Sequence, residues 1–283
     1  MARNEGALNQ SLGLKKFYQP YLFYPSEERI RSLVVSVLKG PSVLDAGCGN
    51  GWLSVCAWEK GYKVYSFDVG KGETRESLFL FKERKADIGL AEASLSVLPF
   101  ADASFDSIMC ISVLEHVLNV KQALSEMKRV LKRNGRLVLM VPNALTFGIL
   151  YDRLAYRLVP TRTIVSRYHK VLRSLKDDEI LRMKLDEKEP IGHHQQFTLA
   201  RIRKLLVEND MRVTNVINCR FLAPYLRSFS TLLGREPVRA FELFDAKIAE
   251  SAPSSLVAEW IIVSEKSTQN RVLADQSVGR SVD

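Results

Sequence analysis

The stretch VLDAGCGNGWLS, residues 43–54, sets an acid, Asp45, just ahead of three closely spaced glycines, Gly47, Gly49 and Gly51. Glycine at such spacing lets a backbone pass close to a ligand. A dinucleotide pyrophosphate and a sulfonium nucleoside are both held by turns of this kind, and three features separate them. The dinucleotide fingerprint is Gly-x-Gly-x-x-Gly, whose third glycine permits tight helix–strand packing. Here the glycines run Gly-x-Gly-x-Gly, and Trp52 follows where that pattern needs no bulk. A carboxylate at Asp45 repels a pyrophosphate and attracts an ammonium group. Asp68 ends the next apolar run, a place from which a carboxylate accepts both hydroxyls of a ribose. A ribose, a positive charge and no phosphate describe the sulfonium nucleoside.

These residues need elements to hold them. From Ser42 to Asn143, β-branched runs alternate with longer helical patterns. Strands are expected at 42–47, 62–68, 86–93, 105–112 and 135–142, and helices at 51–60, around Leu78, Leu80 and Phe81, and at 113–132. In the last of these helices Leu114, Val117, Val120, Leu124, Met127 and Leu131 step by three or four, as one helix face should. Strand alternating with helix implies parallel strands, right-handed crossovers and helices on both faces of a sheet, a doubly wound α/β domain. Beyond Asn143, Phe147, Leu150, Leu154 and Leu158 mark another helix. Residues 197–210 read as a helix with Thr198 as its N-cap. Residues 211–219 and 255–266 read as two final strands, ahead of a polar tail.

In this order the motifs resemble those of the class I S-adenosylmethionine-dependent methyltransferases, in their small-molecule branch. VLDAGCGNG is similar to the first motif of that family and VYSFDVG to the second, with Asp68 in the ribose position. LPFADASFDSIMCISVLEHV is similar to the stretch entering the fourth strand, and RVLKRNGRLVLMVPN to the helix, turn and fifth strand. HHQQFTLARIRKLLVENDMRV is similar to the helix entering the sixth. The resemblance covers residues 28–143 and 192–266. It implies a Rossmann-like seven-stranded sheet with a final antiparallel hairpin, and S-adenosyl-L-methionine as cofactor. The cofactor-binding positions it implies are Asp45, Gly47, Cys48, Gly49, Asn50, Gly51, Asp68, Val69, Ser94, Leu95, Cys110 and Ile111. Asp45 is expected toward the methionine amino group. Ser94 stands where the family often has an acid for the adenine, with Glu92 near enough to substitute. Cys110 and Ile111 are placed by their position at the end of the fourth strand, because ligands of such sheets sit outside the carboxyl ends of the strands. No catalytic residue and no metal ligand is assigned.

The chain has 283 residues, 46% of them hydrophobic, enough for one large core or a core plus a smaller cap. The expected division is an N-terminal arm (1–27) that could act as a lid through Tyr18, Tyr21 and Tyr24, a cofactor-binding core (28–143), a helical basic cap inserted at 144–192, the rest of the core (193–266) and a flexible tail (267–283). Net charge is +9, and between Ala144 and Lys176 Arg153, Arg157, Arg162, Arg167, Lys170, Arg173 and Lys176 face the single acid Asp152. Such an excess suits an anionic ligand, an acidic membrane surface, nucleic acid, or simply a solvated helix face. Cys48, Cys56, Cys110 and Cys219 are too scattered for a zinc pattern and read as buried thiols. The start of the chain lacks the apolar core of a secretory signal, and the expected location is the cytoplasm, with peripheral membrane contact as an option. His116, His193 and His194 are candidates for a base, each weighed against an ordinary structural or exposed histidine. After the fourth strand stands CISV (110–113), without the prolines with which amino-methylating nucleic acid enzymes grip an acceptor amine. The expected activity is therefore O- or C-methylation of a small or lipid-like acceptor by in-line displacement. An RNA or protein methyltransferase using the basic cap, or a non-catalytic cofactor-binding module, stands as the alternative.

Overall fold

The computed structural model describes residues 25–144, 195–221 and 235–266. In chain order these form α1 (Pro25–Ser36), β1 (Ser42–Ala46), α2 (Trp52–Glu59), β2 (Lys63–Asp68), α3 (Lys71–Arg84), β3 (Gly89–Glu92), β4 (Phe105–Ile111), α4 (Val120–Val130), β5 (Leu131–Pro142), α5 (Leu199–Glu208), β6 (Met211–Arg220), α6 (Arg235–Ser251) and β7 (Glu259–Lys266). The strands make one sheet in the order β3-β2-β1-β4-β5-β7-β6. β1 to β5 pair in parallel, whereas β7 runs antiparallel to both β5 and β6. The doubly wound sheet and its closing antiparallel hairpin are thus as the sequence implies.

Successive side chains of a strand point to opposite faces, and the core divides accordingly. Leu44, Ile108, Leu137 and Ile262 pack on one face with Leu124 and Met127 of α4 and Ile202 and Leu206 of α5. Their neighbours Val43, Met109, Val138 and Ile261 pack on the other with Ile30 and Val34 of α1 and Ala57 of α2. Covered on both faces, β1 has no room for alternation: Val43, Leu44, Asp45 and Ala46 are all buried. An acid inside such a run is the exception that needs a reason.

Several boundaries differ from the sequence reading. The single helix expected over 113–132 is broken. Ser112 has φ +56°, a short 3₁₀ turn spans Leu114–His116, and α4 starts only after Asn119, whose side chain accepts from Gln122 N. The apolar spacing is continuous, but the asparagine satisfies a helix N-terminus and so fixes one there. At the other end Leu131 leaves the helix for β5 and pairs with Phe105. The strands expected at 86–93 and 255–266 are shorter, Gly89–Glu92 and Glu259–Lys266. Thr198 caps α5 through Arg201 N. α1 and α6 were not anticipated, and the expected arm boundary at residue 27 falls inside α1. The expected helix after Ala144 with its basic residues, Tyr18, Tyr21 and Tyr24, His193 and His194, and the tail from 267 lie outside the described residues.

Candidate cofactor site at the carboxyl edge of the sheet

Between β1 and α2 the chain turns over the end of β2. Gly47 N and Cys48 N both donate to Phe67 O at 2.9 Å, and Gly51 N donates to Cys48 O at 2.9 Å. Gly49 N donates to Asp68 Oδ2 at 2.9 Å. The other carboxylate oxygen accepts from Val69 N at 2.8 Å and Gly70 N at 3.3 Å. Asp68 therefore clamps the glycine loop to the loop after β2. A carboxylate has about four acceptor sites, so three backbone donors do not exhaust it.

The glycines divide by what lies over them. Gly51 has φ +81°, and a Cβ there would lie 2.6 Å from Phe81 Cε1 and 3.1 Å from Ser77 Oγ, so its space is taken by α3. Gly49 has φ +53°, and a Cβ there would meet nothing within 4 Å among the described residues. The loop presents bare backbone to open space at Gly49, beside the Asp68 carboxylate. That opening fits a nucleoside that brings hydroxyls to Asp68. Ser77 Oγ supports it from below, donating to Gly49 O at 2.6 Å and lying 3.5 Å from Cys48 Sγ. Trp52 sits under the Arg84 guanidinium, 4.7 Å from its ring centroid.

Asp45 is 2% exposed. Ser54 Oγ donates to its Oδ2 at 2.5 Å, and Ser66 Oγ donates in turn to Ser54 Oγ at 2.9 Å. Burial pushes the Asp45 carboxyl up to about 7; the Ser54 hydrogen bond pulls it down and Asp68 adds to the rise. Burial also pushes the Cys48 thiol up to about 12, so it is no nucleophile at neutral pH. Asn50 Oδ1 accepts weakly from Trp52 N at 3.4 Å. Asp45, Gly47, Cys48, Gly49, Asn50, Gly51 and Asp68 thus share one hydrogen-bonded loop system.

The remaining sequence-predicted positions lie around it with different exposures. Val69 is 67% exposed. Ala93 N donates to Asp68 O at 3.0 Å, which brings the end of β3 to this edge. Ser94 is exposed, its Oγ accepting from Ser96 N at 3.2 Å, and Glu92 is exposed beside it. Leu95 and Cys110 are packed into the core, and Ile111 is half-buried. His116 is exposed. Among the described residues, no group of three or more His, Cys, Asp and Glu is arranged to hold a metal ion.

One acid escaped the sequence reading, which chose its neighbour His116. Glu115 is 3% exposed, and its Oε2 has no hydrogen-bond partner among the described residues. Its sequence signal is an acid set among Val113, Leu114 and Val117 in an apolar run.

Sheet order and the loops at its carboxyl edge define a doubly wound α/β domain with a closing antiparallel hairpin. A methyltransferase-domain family model matches residues 44–139, from β1 to β5. A demethylmenaquinone methyltransferase of Renibacterium salmoninarum is 34% identical over 143 residues, which are 50% of this chain and 54% of that protein. A ubiquinone biosynthesis O-methyltransferase of Rickettsia akari is 28% identical over 148 residues, 51% of this chain and 57% of that protein. The matches thus span about half the length of these relatives. The solved magnesium protoporphyrin IX methyltransferase of Synechocystis, with S-adenosylhomocysteine bound, shares the fold with a TM-score of 0.53 at 18% identity, over 86% of this chain and 84% of that one. Over residues 44–139 the chain is thus a methyltransferase domain, similar to those of S-adenosylmethionine-dependent enzymes.

Proposed function

We propose that this protein transfers a methyl group from S-adenosylmethionine to a small or lipid-like acceptor, at oxygen or carbon. The observation that carries the reading is the open face of Gly49 beside the Asp68 clamp, at the carboxyl ends of β1 and β2. Acceptor class is supported by the relatives, two of which are named for quinone pathways. In this reading Asp68 receives the ribose hydroxyls through its remaining lone pairs. Asp45 supplies negative potential beneath the loop for the cofactor's ammonium and sulfonium charges. Val69, Ser94 and Leu95 border the adenine, and Ile111 with the β4 end borders the methyl group.

The bound cofactor supplies an activated methyl on a sulfonium, so the chain's own task is to hold two partners in line. Fixing reacting atoms in near-attack geometry lowers a barrier by about 7–11 kcal/mol. The rigid loop fits that task, since its turn is closed by the bonds of Gly47, Cys48 and Gly51 described above.

Residues 144–192 we assign to the acceptor side as a basic cap, residues 1–27 to an arm over the site, and 267–283 to a loose tail. The cytoplasm is the proposed location, with the basic cap touching anionic membrane. Among the described residues no helix is long and apolar enough to cross a membrane.

The test is radiolabelled methyl from S-adenosylmethionine, incubated with protein and cell extract, then fractionated into organic, small aqueous, RNA and protein pools. Protein-dependent label in the organic or small-molecule pool is the expected result. Label in RNA or protein would replace this acceptor class by the macromolecular one. Cofactor binding without transfer to any pool would make the protein a binding module. Indifference to anionic vesicles at low salt would remove the membrane contact alone.

A further inference from the structure

Resting on the proposed function, we propose that Glu115 is the acceptor-side base, its unpartnered Oε2 receiving the proton of an acidic hydroxyl on the acceptor. The acceptor chemistry it selects is a phenol or enol, methylated at oxygen.

The placement comes from β4. This strand lies between β1 and β5, with Asp45 opposite Met109 and Ile111 opposite Met140. After Ile111 the chain turns through Ser112, at φ +56°, which donates its N–H to Met140 O at 3.0 Å. Glu115 follows in the 3₁₀ turn. That turn touches the cofactor loop: a Cβ on Gly47 would lie 2.5 Å from Val113 Cγ2. Cys110, fully buried, feels the charge of both Glu115 and Asp45, so both acids lie near the β4 end. The same turn also contacts β5, across β4 from β1 and β2, and this is the side we propose for the second reactant.

The surroundings hold the acid dry without satisfying it. Gln195 N donates to Glu115 O at 2.9 Å, and Gln195 Nε2 donates to Leu118 O at 3.3 Å, so the strand of chain before α5 seals the turn. Asn143, at the end of β5, spends its amide on Ser255 O and Val257 O. Charged and titratable neighbours among the described residues are Cys110 of β4, His116 in the same turn and Glu259 at the start of β7. Glu259 is itself paired with Arg220 of β6 at 2.9 Å, and Arg220 also holds Glu27 of α1. Arg220 is therefore committed to two carboxylates and does not neutralise Glu115. Burial pushes the Glu115 carboxyl up to about 7, its own backbone N–H lowers it and Glu259 raises it further. A buried polar atom with no partner is rare in a folded protein and asks for an explanation. A substrate hydroxyl supplies one.

The step balances. The acceptor oxygen forms its bond to the methyl carbon as its proton passes to Glu115 Oε2. The electron pair of the carbon–sulfur bond stays with sulfur, leaving neutral S-adenosylhomocysteine, and Glu115 later gives the proton to water.

The test compares wild type with Glu115→Gln and Glu115→Asp. Calorimetry with S-adenosylhomocysteine and an infrared pH-difference spectrum of the free protein accompany the radiolabel assay, run from pH 5.5 to 9 on the organic extract. Expected are equal S-adenosylhomocysteine affinity in all three and loss of a buried-carboxyl infrared band in Glu115→Gln. Transfer by Glu115→Gln should fall by about 100-fold or more, with KM little changed. The rise of the wild-type rate through about pH 7 should vanish in Glu115→Gln and return in Glu115→Asp. Equal rates, or the same pH rise in Glu115→Gln, would overturn the assignment while leaving the proposed function standing. Weakened S-adenosylhomocysteine binding in Glu115→Gln would move the residue to the cofactor side and overturn it too. No transfer by wild type, with S-adenosylhomocysteine bound, would overturn the proposed function and this inference together.

Discussion

Replacing Asp45 by Asn should remove a pH dependence from the stability of the free protein. The Asp45 carboxyl lies inside β1, 2% exposed, and its pKa is raised from 3.8 to about 7. Between those values the folded state holds a proton that the unfolded chain has released, so stability falls as pH rises. The stabilising contribution is complete below pH 4, is lost through pH 7, and is flat above. A shift of about three units at about 1.4 kcal/mol each amounts to about 4 kcal/mol, of which about 3 kcal/mol falls between pH 5 and 8. Asparagine keeps the volume and an oxygen for Ser54 Oγ but cannot ionise. Urea unfolding of both proteins from pH 5 to 8.5 measures the difference directly. Wild type should lose stability relative to Asp45→Asn by about 3 kcal/mol over that range. Saturating S-adenosylmethionine should move the window to lower pH, because a nearby cation favours the carboxylate. Curves that stay parallel within about 0.5 kcal/mol would refute the reasoning, since the buried acid would then titrate as it does in the unfolded chain.

Further consequences concern the loop and its supports. Gly49→Ala should cost about 1–2 kcal/mol of stability, from its φ of +53° alone, yet weaken S-adenosylhomocysteine binding in calorimetry, because its methyl enters the open space. Gly51→Ala should cost more in thermal unfolding, since the same strain is joined by contact with Phe81 at 2.6 Å. Asp68→Ala strands the Gly49 and Val69 N–H groups and removes the proposed ribose acceptor; S-adenosylhomocysteine affinity should fall by about tenfold to a hundredfold, at about 1.5–3 kcal/mol for hydrogen bonds to a charged group. Arg220→Met leaves Glu27 and Glu259 without their shared cation and should destabilise by about 3–5 kcal/mol in urea unfolding.

The sheet was legible because burial on both faces writes long apolar runs into β1, β4 and β5, and the loops between them carry glycine. The break at Ser112–Asn119 was not, because periodicity registers which side chains share a face and is blind to a cap that interrupts the helix. Thr198 was legible as a cap because it stands alone before an apolar pattern, whereas Asn119 lies inside one. α1 escaped although its Ile30 and Val34 pack in the core, because the partners that fix it lie far along the chain. Ser26 N and Oγ both donate to Glu242 Oε2 in α6, and Arg29 reaches Cys219 O at 3.0 Å. In the site, Gly49, Gly51 and Asp68 could be singled out by type and spacing. Their division of labour could not, because it depends on whether Phe81 or open space lies over each glycine.

Asp45 and Glu115 are both buried acids raised to about 7, and both lie close enough to Cys110 to raise its thiol. Apolar residues at both positions would give a more stable free protein, since an ionised carboxylate is costly to bury even where, as at Asp45, a hydroxyl donates to it. In the proposed mechanism a cofactor cation near these acids favours the ionised form of each, so a charge that is unwelcome in the free protein becomes useful when the cofactor binds. Strain of this kind, concentrated at one edge of an otherwise well-packed sheet, is what a site selected for activity at the expense of stability should show.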